Sequence, residues 1–332
     1  MRGQPLAAAR AKGFAAPPSR KVSGPVIDVH THANEPARNH ELIDGARIYG
    51  VSKVVVIAPL EEGLALQRQY PSEVILAARP ILYEPKRQIA LLDRAVEMVH
   101  DAAAAGAPLI KLWFAPRIRD RLDFLLDAPR LDPVFQAIAE KGLGVLVHVS
   151  DPDRWFERKY DPAKYGTKDE QYPMLEARLR QFPTVRFIAA HMGGDPEHLD
   201  HLARLLTRYP NLYLDTSATK WIIRELGRQR EAAREFFRCW APRICFGTDQ
   251  VVIKDTDPER YLVRYWVHQM FWETDLVCPS PIADPDSDGP PVLRGLDLPE
   301  DVLQQIYWKT AEENFGIRTG GVTNVPTSSS MP

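Results

Sequence analysis

Short apolar segments alternate with longer amphipathic ones along this chain, and that alternation limits its fold more than any other feature. Segments such as 53–58 (KVVVIA) and 144–149 (GVLVHV) are apolar nearly throughout, which is typical of parallel strands covered on both faces. Candidate strands occupy 26–32, 52–58, 74–82, 109–114, 144–150, 185–191, 211–216 and 244–249. Helical patterns occupy 36–49, 61–70, 86–105, 131–141, 172–181, 196–208 and 221–239. Eight strands separated by helices predict a closed α/β barrel of the (β/α)8 TIM type.

A doubly wound sheet is the alternative α/β architecture. It would normally have fewer strands and a glycine-rich phosphate loop after the first of them. Neither G-x-G-x-x-G nor G-x-x-x-x-G-K-[ST] follows a candidate strand here. A length of 332 residues fits one barrel, so we predict a single barrel domain over residues 25–316.

Three segments depart from the repeating pattern. Residues 1–24 are basic and lack acids; we predict a disordered arm, with a transit peptide as the alternative. Residues 317–332 have the composition of a disordered tail. Residues 255–297 form an insertion before the C-terminal helix 298–316, either covering the barrel mouth or, in their aromatic part, packing as ordinary core.

Charge and composition exclude some partners. The chain has 42 basic and 44 acidic residues and a net charge of −2, so no overall basic field exists to attract nucleic acid or anionic lipid. No apolar run is long enough for a membrane span. The 3 cysteines form no C-x-x-C pair, which favours a reducing compartment. We therefore expect a cytoplasmic protein with a small-molecule partner.

Polar residues of metal-ligand type stand at the ends of several candidate strands. His30 and His32 follow an apolar run and are two residues apart, which places both on one face of a strand. Taken alone, this pair would be read as two surface histidines. His148, His191 and Asp249 each end another apolar run. Because barrel enzymes build their active sites at this end of the strands, the set indicates a functional site.

The ordered motifs resemble the amidohydrolase superfamily, specifically its amidohydrolase-related branch, over about residues 25–316. The resemblance rests on IDVHTH (27–32), IKLW (110–113), VLVHVS (145–150), FIAAHMGG (187–194), CFGTD (245–249) and AEENFG (311–316). It implies a distorted barrel with a divalent metal ion at its mouth. It also implies that a homodimer would be unremarkable, although no residue identifies an interface.

Carried over by position, the resemblance implies a set of metal ligands and catalytic groups. The ligands would be His30, His32, His148 and Asp249 around one metal ion, and the catalytic residues would be Asp249 and His191. Three imidazoles and a carboxylate suit zinc, with manganese or iron as alternatives. Asp28 is expected to share the face of His30 and His32, one step deeper in the strand, and would either orient a ligand or serve as a structural carboxylate.

Substrate contacts are expected from the fourth and fifth strands and their loops. Binuclear relatives carry a carbamylated lysine near Lys111, but here a single metal with Lys111 as an ammonium fits better. The DNases of the superfamily use a glutamate on a middle strand instead, which weakens a phosphodiesterase interpretation. We predict that Lys111, Arg117, Arg154 and Trp155 bind substrate, since arginine suits carboxylate recognition. A solvated charged loop is the alternative for the last three.

Three functions remain open from the sequence. The first is a metal-dependent hydrolase, in which a water activated by the metal attacks the carbonyl of an amide, lactone or ester. The second is a nonoxidative decarboxylase of an unsaturated or aromatic acid, since relatives in this branch include such lyases. The third is a non-catalytic binding module that keeps the fold, and the intact ligand set argues against it.

Overall fold

The parallel strands expected from the apolar segments form one curved sheet. The computed structural model describes residues 4–319 except 81, 85–88, 91 and 256. The strands of the sheet are β1 (Ile27–Ala33), β2 (Lys53–Ala58), β3 (Val74–Ala78), β6 (Leu109–Trp113), β7 (Gly144–His148), β8 (Phe187–Ala189), β9 (Leu212–Asp215), β10 (Ile244–Cys245) and β11 (Gln250–Val252). They lie side by side in the order β10-β9-β8-β7-β6-β3-β2-β1-β11. Two antiparallel pairs lie outside the sheet, namely β4 (Tyr83–Glu84) with β5 (Ile89–Ala90) and β12 (Val277–Pro279) with β13 (Val292–Arg294).

The last barrel strand is divided, and its two parts join the ends of the sheet. β10 pairs with β9, whereas β11 pairs with β1. Between them, the N–H of Val29 donates to the carbonyl of Phe246 at 2.9 Å, and the N–H of Asp249 donates to the carbonyl of His30 at 2.8 Å. These bonds connect the last strand to the first, and the predicted TIM-type (β/α)8 barrel is confirmed.

Helices follow the strands as the amphipathic segments predict, except that the predicted helix 86–105 begins at Leu92, after the strand residues Ile89–Ala90. Residues 86–88 and 91 of that prediction lie outside the described residues. The helices are α1 (Gln4–Ala11), α2 (Asn39–Ile48), α3 (Leu60–Gln69), α4 (Leu92–Ala104), α5 (Asp132–Glu140), α6 (Asp153–Arg158), α7 (Pro162–Tyr165), α8 (Tyr172–Gln181), α9 (Leu199–Arg208), α10 (Thr219–Arg228), α11 (Arg230–Trp240), α12 (Glu259–Glu273), α13 (Glu300–Gln304) and α14 (Thr310–Phe315). The segment 221–239, expected to be one helix, is two helices that meet at Gln229, and a π-helical turn (Gln305–Lys309) separates α13 from α14. Within the described residues, no helix has the length and apolar character needed to span a membrane.

Two apolar layers explain why the strands are hydrophobic on both faces. On β2, Val55 and Ile57 belong to an inner cluster, whereas Val54 and Val56 belong to the larger outer cluster that the helices cover. Phe315 belongs to the inner cluster as well, although it comes from α14. Alternate side chains of each strand therefore bury against different partners, which removes the alternation of polar and apolar residues.

The described part of the N-terminal segment does not match the predicted disordered arm. Residues Gln4–Ala11 form α1, and the side chains of Leu6 and Phe14 are buried. The ring of Phe14 meets that of Trp266 edge-on at a centroid distance of 5.6 Å, and the hydroxyl of Tyr49 donates to the carbonyl of Phe14 at 2.7 Å. Apolar side chains spaced along a basic segment are sufficient to hold it on the barrel.

At the C-terminus, most of the predicted disordered tail lies outside the described residues, which end at 319. Ile317 is the first residue of the predicted tail and lies within the described residues. Its side chain is buried, at 1% exposure, in the inner apolar cluster. The ordered barrel domain therefore extends at least one residue beyond the predicted boundary at 316.

The segment 255–297 combines both roles considered for it. The aromatic helix α12 is core, because Tyr261, Trp266 and Trp272 are fully buried. The loop that follows it reaches residues at the carboxyl ends of the strands, where Asp286 accepts a hydrogen bond from Nε1 of Trp155 at 2.9 Å. The helix thus belongs to the outer layer of the barrel, while the loop borders its mouth.

Candidate metal centre

A cavity of about 290 Å³ opens at the carboxyl ends of the barrel strands. The predicted histidines and aspartate all line it, although they come from four different parts of the chain. They are His30, His32, His148, His191 and Asp249. The fold therefore gathers side chains that are up to 219 positions apart, as expected for a barrel active site.

Asp249 lies at the centre of this group. One of its carboxylate oxygens, Oδ1, is 3.2 Å from Nε2 of His32 and 3.6 Å from Nε2 of His30. Ligand-type atoms of His30, His191 and Asp249 all lie within 4.8 Å of one another. Imidazole nitrogens and a carboxylate at such spacing form a donor set that suits a divalent metal ion.

His148 approaches the same group from β7. Its ring centroid is 4.6 Å from that of His191. Nε2 of His148 donates to the carbonyl of Ser150 at 3.0 Å and to Oδ1 of Asp151 at 3.1 Å. Its Nδ1 makes no hydrogen bond with the described residues, which leaves that nitrogen available as a ligand atom.

Asp215 and Ser217 hold two of the histidines and were not identified from the sequence. Nδ1 of His30 donates to Oδ2 of Asp215 at 2.8 Å. The hydroxyl of Ser217 lies 2.7 Å from Nδ1 of His191 and also contacts Oδ1 of Asp215. Asp215 ends β9, so the rule that selected the other strand-end residues would have selected this one too.

The buried position of the cluster shifts the pKa values of its members. Burial and the nearby Lys111 lower the pKa of His30 to about 4, and burial and His148 lower the pKa of His191 well below its ordinary value. Burial also opposes ionisation of Asp215, but the hydrogen bond and charge of His30 outweigh it and hold its pKa below the usual range. Neutral imidazoles and ionised carboxylates are the forms that bind metal ions.

Unusual backbone conformations accompany these side chains. His191 and Asp249 have φ angles of 60° and 54° although neither is glycine. Gly194 follows with φ of 73°, and a Cβ on it would lie 2.1 Å from the carbonyl oxygen of Ser150. Left-handed residues that carry side chains cost free energy and cluster at functional sites.

Asp28 does not share the orientation of His30 and His32, contrary to the sequence prediction. The pairing of β1 with β2 shifts register between Asp28 and Thr31, and such an irregularity changes which face a side chain takes. Asp28 accepts hydrogen bonds from Thr248 Oγ1 at 2.6 Å and from Tyr265 at 3.0 Å, and burial raises its pKa to about 7. It acts as a structural carboxylate that ties β1 to Thr248 and to α12.

Three of the four predicted substrate-binding residues line the cavity. Lys111, Arg117 and Trp155 contribute to its wall. Nζ of Lys111 lies 3.1 Å from Nε2 of His30, and burial lowers the pKa of Lys111 to about 8. Arg154 does not line the cavity, because its guanidinium pairs with Asp288 and donates to the carbonyl of Asp286 at 2.8 Å.

Aromatic residues complete the wall of the cavity. Trp113, Tyr160 and Trp221 line it together with Trp155. The ring of Trp221 meets that of His191 edge-on at 5.4 Å and that of Trp155 at 5.0 Å. Only Trp155 of this group was predicted, because aromatic residues occur in cores as often as in sites and the sequence does not distinguish the two.

Fold and site together define a (β/α)8-barrel protein with a histidine- and aspartate-lined cavity at the carboxyl ends of its strands. A family profile described as Amidohydrolase matches residues 27–317. The chain therefore belongs to the amidohydrolase family of enzymes, and the resemblance drawn from the motifs is confirmed.

Individual relatives are more distant. A dihydroorotase of Marinobacter nauticus is 26% identical over 204 residues, which are 54% of this chain and 56% of that protein. The 5-carboxyvanillate decarboxylase LigW of Sphingomonas paucimobilis is similar in structure, with a TM-score of 0.52 at 15% identity, covering 89% of this chain and 100% of that one. A Pseudomonas putida protein provisionally described as a 2-pyrone-4,6-dicarboxylic acid hydrolase has a TM-score of 0.56 at 14% identity, covering 88% and 97%. At these identities the structural likeness is one of fold.

Proposed function

We propose that this protein is a metal-dependent hydrolase acting on a small carbonyl compound, an amide, lactone or ester, that also carries a carboxylate. The observation that carries the proposal is that one cavity contains both the histidine and aspartate cluster and two cations, Lys111 and Arg117. Arg117 forms no hydrogen bond or ion pair with the described residues, so its guanidinium is available for a carboxylate.

The donor set fits a divalent metal ion. His30, His148 and His191 each have one ring nitrogen held by a side-chain oxygen, from Asp215, Asp151 and Ser217 respectively. Oxygen partners of this kind orient the ring and fix its tautomer in metal sites. We propose His30, His32, His148 and Asp249 as ligands, with zinc favoured and manganese or iron as alternatives. When bound, such an ion lowers the pKa of a coordinated water to about 7 and polarises a carbonyl.

The remaining steps fall to this chain's own residues. Asp249 is held ionised, because its contacts with His32 and His191 outweigh the effect of burial on its pKa, so its carboxylate can accept a proton from the attacking water. His191 is neutral near pH 7, so its Nε2 can take up the proton that Asp249 accepted and pass it to the leaving group. Lys111 and Arg117 would hold the substrate carboxylate, and Trp155 and Trp221 would limit the size of the group beside it.

A nonoxidative decarboxylase is the second candidate. It is supported by the fold it shares with LigW, whose name specifies a carboxylated aromatic substrate, and by the same cations in the cavity. In that reaction the substrate carboxylate leaves as carbon dioxide, and His191 would take up a proton from water and deliver it to the carbon that held the carboxylate. The two candidates thus use the same residues and differ in which bond of the substrate breaks.

Product analysis separates the two candidates. Purified protein is first assayed for metal content and then supplied with lactones, amides and carboxylated aromatic rings in water enriched in oxygen-18. Incorporation of the label into product without release of carbon dioxide supports the hydrolase, and release of carbon dioxide without incorporation supports the decarboxylase. A folded protein that neither contains nor acquires metal would contradict both and favour a non-catalytic binding module.

A further inference from the structure

A second and larger cavity, of about 690 Å³, lies on the other side of α10 from the catalytic cavity. We call it the α10 cavity, and it is lined by residues of 219–232 and 280–294. Trp221 lines the catalytic cavity, whereas its neighbour Lys220 and, one turn later, Arg224 line the α10 cavity. The loop of the insertion closes this second space, so it exists only because of that segment.

Positive charge predominates on the wall of the α10 cavity. Its cations outnumber its carboxylates, which are Glu231, Asp284 and Asp288. The cations are Lys220, Arg224, Arg228, Arg230 and Arg294. Asp284 pairs with Arg224, and Asp288 pairs mainly with Arg154, which lies outside the cavity. Two of the three carboxylates are therefore already engaged in ion pairs.

Two guanidinium groups keep buried donors without acceptors. Arg224 is only 8% exposed, and although it pairs with Glu225 and Asp284, its Nη2 has no hydrogen-bond partner. Nε of Arg230 is likewise buried and unpartnered. Buried polar groups nearly always have a hydrogen-bond partner in folded proteins, and leaving a charged donor without an acceptor costs free energy. Both arginines belong to the wall of the α10 cavity.

The other cations add to this preference. Within the described part of the chain, the side chains of Lys220 and Arg294 form no hydrogen bond or ion pair. Burial lowers the pKa of Lys220, and the neighbouring Arg264 adds to this effect, while Asp284 acts in the opposite direction. Ile223, Ile282 and Val292 provide an apolar part of the same wall.

We propose that the α10 cavity binds a small organic anion, with one or two carboxylate or phosphate groups on an apolar body, at a site separate from the catalytic cavity. Arginine matches the planar geometry of both anionic groups. The volume lies in the range of small-molecule sites, which combine apolar walls with a few convergent polar groups. The proposal concerns binding alone and does not depend on the reaction proposed above.

Binding of isophthalate and of phenyl phosphate, measured by calorimetry, tests this site. The measurements use full-length protein carrying Arg117→Gln, so that the catalytic cavity lacks its exposed cation. In this background we expect saturable binding of at least one probe, with a dissociation constant of about 1 mM or tighter. The added pair Arg230→Gln and Arg294→Gln should weaken it at least tenfold. The tighter of the two probes identifies which anionic group the site prefers.

Matched controls make the result decisive. Arg238→Gln removes an exposed arginine from the same helix, α11, outside the cavity, and should leave the affinity unchanged. Among the residues that the structure describes, Arg230 and Arg294 form no ion pair, so replacing them leaves no carboxylate without a partner. Circular dichroism verifies the fold. Absence of binding, equal affinity in the double variant, or equal binding of uncharged isophthalamide would each overturn the proposal.

Discussion

His30 donates through Nδ1 to Oδ2 of Asp215 at 2.8 Å, and both side chains are completely buried. The same carboxylate accepts hydrogen bonds from the backbone N–H groups of His191 at 2.8 Å and Ser217 at 3.0 Å. Asp215 therefore sets the orientation of His30 and the backbone position of His191 together. A buried carboxylate with these contacts would orient the proposed metal ligand His30 without touching the metal itself.

Replacing Asp215 by asparagine should weaken metal binding without removing a proposed ligand. An amide cannot accept as many hydrogen bonds as a carboxylate, and we expect zinc affinity to fall by about 10–100-fold. Competition with a chromophoric chelator measures the change. Ser217→Ala should produce a smaller loss, and Asp200→Asn, an exposed substitution on α9, should produce none. Unchanged affinity in Asp215→Asn would remove this role.

His32 and His191 should respond differently to alanine substitution. His32→Ala should abolish metal binding, because His32 is a proposed ligand beside Asp249. His191→Ala should retain the metal but lower activity by about 10²–10⁴-fold, the usual contribution of general acid–base catalysis. Plasma mass spectrometry gives the metal content, with the exposed His40→Ala as control. Loss of metal in His191→Ala would show that His191 is a ligand instead.

Arg117 and Arg154 should make unequal contributions to substrate binding. Arg117→Ala should raise KM for a carboxylated substrate at least tenfold, because its guanidinium lines the cavity and makes no hydrogen bond or ion pair with the described residues. Arg154→Ala should change KM less than threefold, because that guanidinium is engaged by Asp288 and Asp286. Steady-state kinetics on both variants decides the matter. A larger effect for Arg154 would restore the role predicted for it from the sequence.

Gly194 should be intolerant of any side chain. Alanine there would combine a left-handed backbone with a Cβ 2.1 Å from the carbonyl oxygen of Ser150, so we expect a loss of more than about 3 kcal/mol in the free energy of unfolding. Gly142→Ala provides the matched control, since its φ of 66° is similar but nothing lies within 4 Å; it should cost only about 1 kcal/mol. Urea denaturation measures both, and equal costs would refute the steric explanation.

His268 should make stability fall in mild acid. Burial lowers its pKa from 6.5 to about 3, and the nearby Arg264 adds to the effect. Between these two pH values the side chain of His268 is protonated in the unfolded chain but not in the folded one. Its contribution to the free energy of unfolding is therefore fully present above about pH 6.5 and is lost as the pH falls towards 3. From pH 7 to pH 5 the loss should be about 2 kcal/mol.

Urea unfolding of the wild type and of His268→Gln at both pH values tests this. Glutamine is polar but does not titrate, so the acid-induced loss in free energy of unfolding should be about 2 kcal/mol smaller in the variant. Other titrating groups affect both proteins alike and cancel in the difference. An equal loss in the two proteins would exclude His268 as the cause.

Much of the fold and part of the site follow from local sequence. The eight apolar segments predicted the barrel because a strand buried on both faces needs an apolar run whatever its partners are. His30, His148, His191 and Asp249 were identified because each ends such a run, and strand ends meet at one face of a barrel. Helix breaks, such as the one at Gln229, were missed because they depend on packing between neighbours.

The sequence by itself determined which residues stand at the barrel mouth, since order along each strand fixes the end at which a side chain emerges. Only the tertiary structure decided how they are held. The bond between His30 and Asp215 joins residues 185 positions apart, and the register shift in β1 turns Asp28 away from the cavity. Likewise, Arg154 pairs with Asp288 across 134 positions. Such contacts depend on the closure of the sheet and the path of distant loops, which no local pattern encodes.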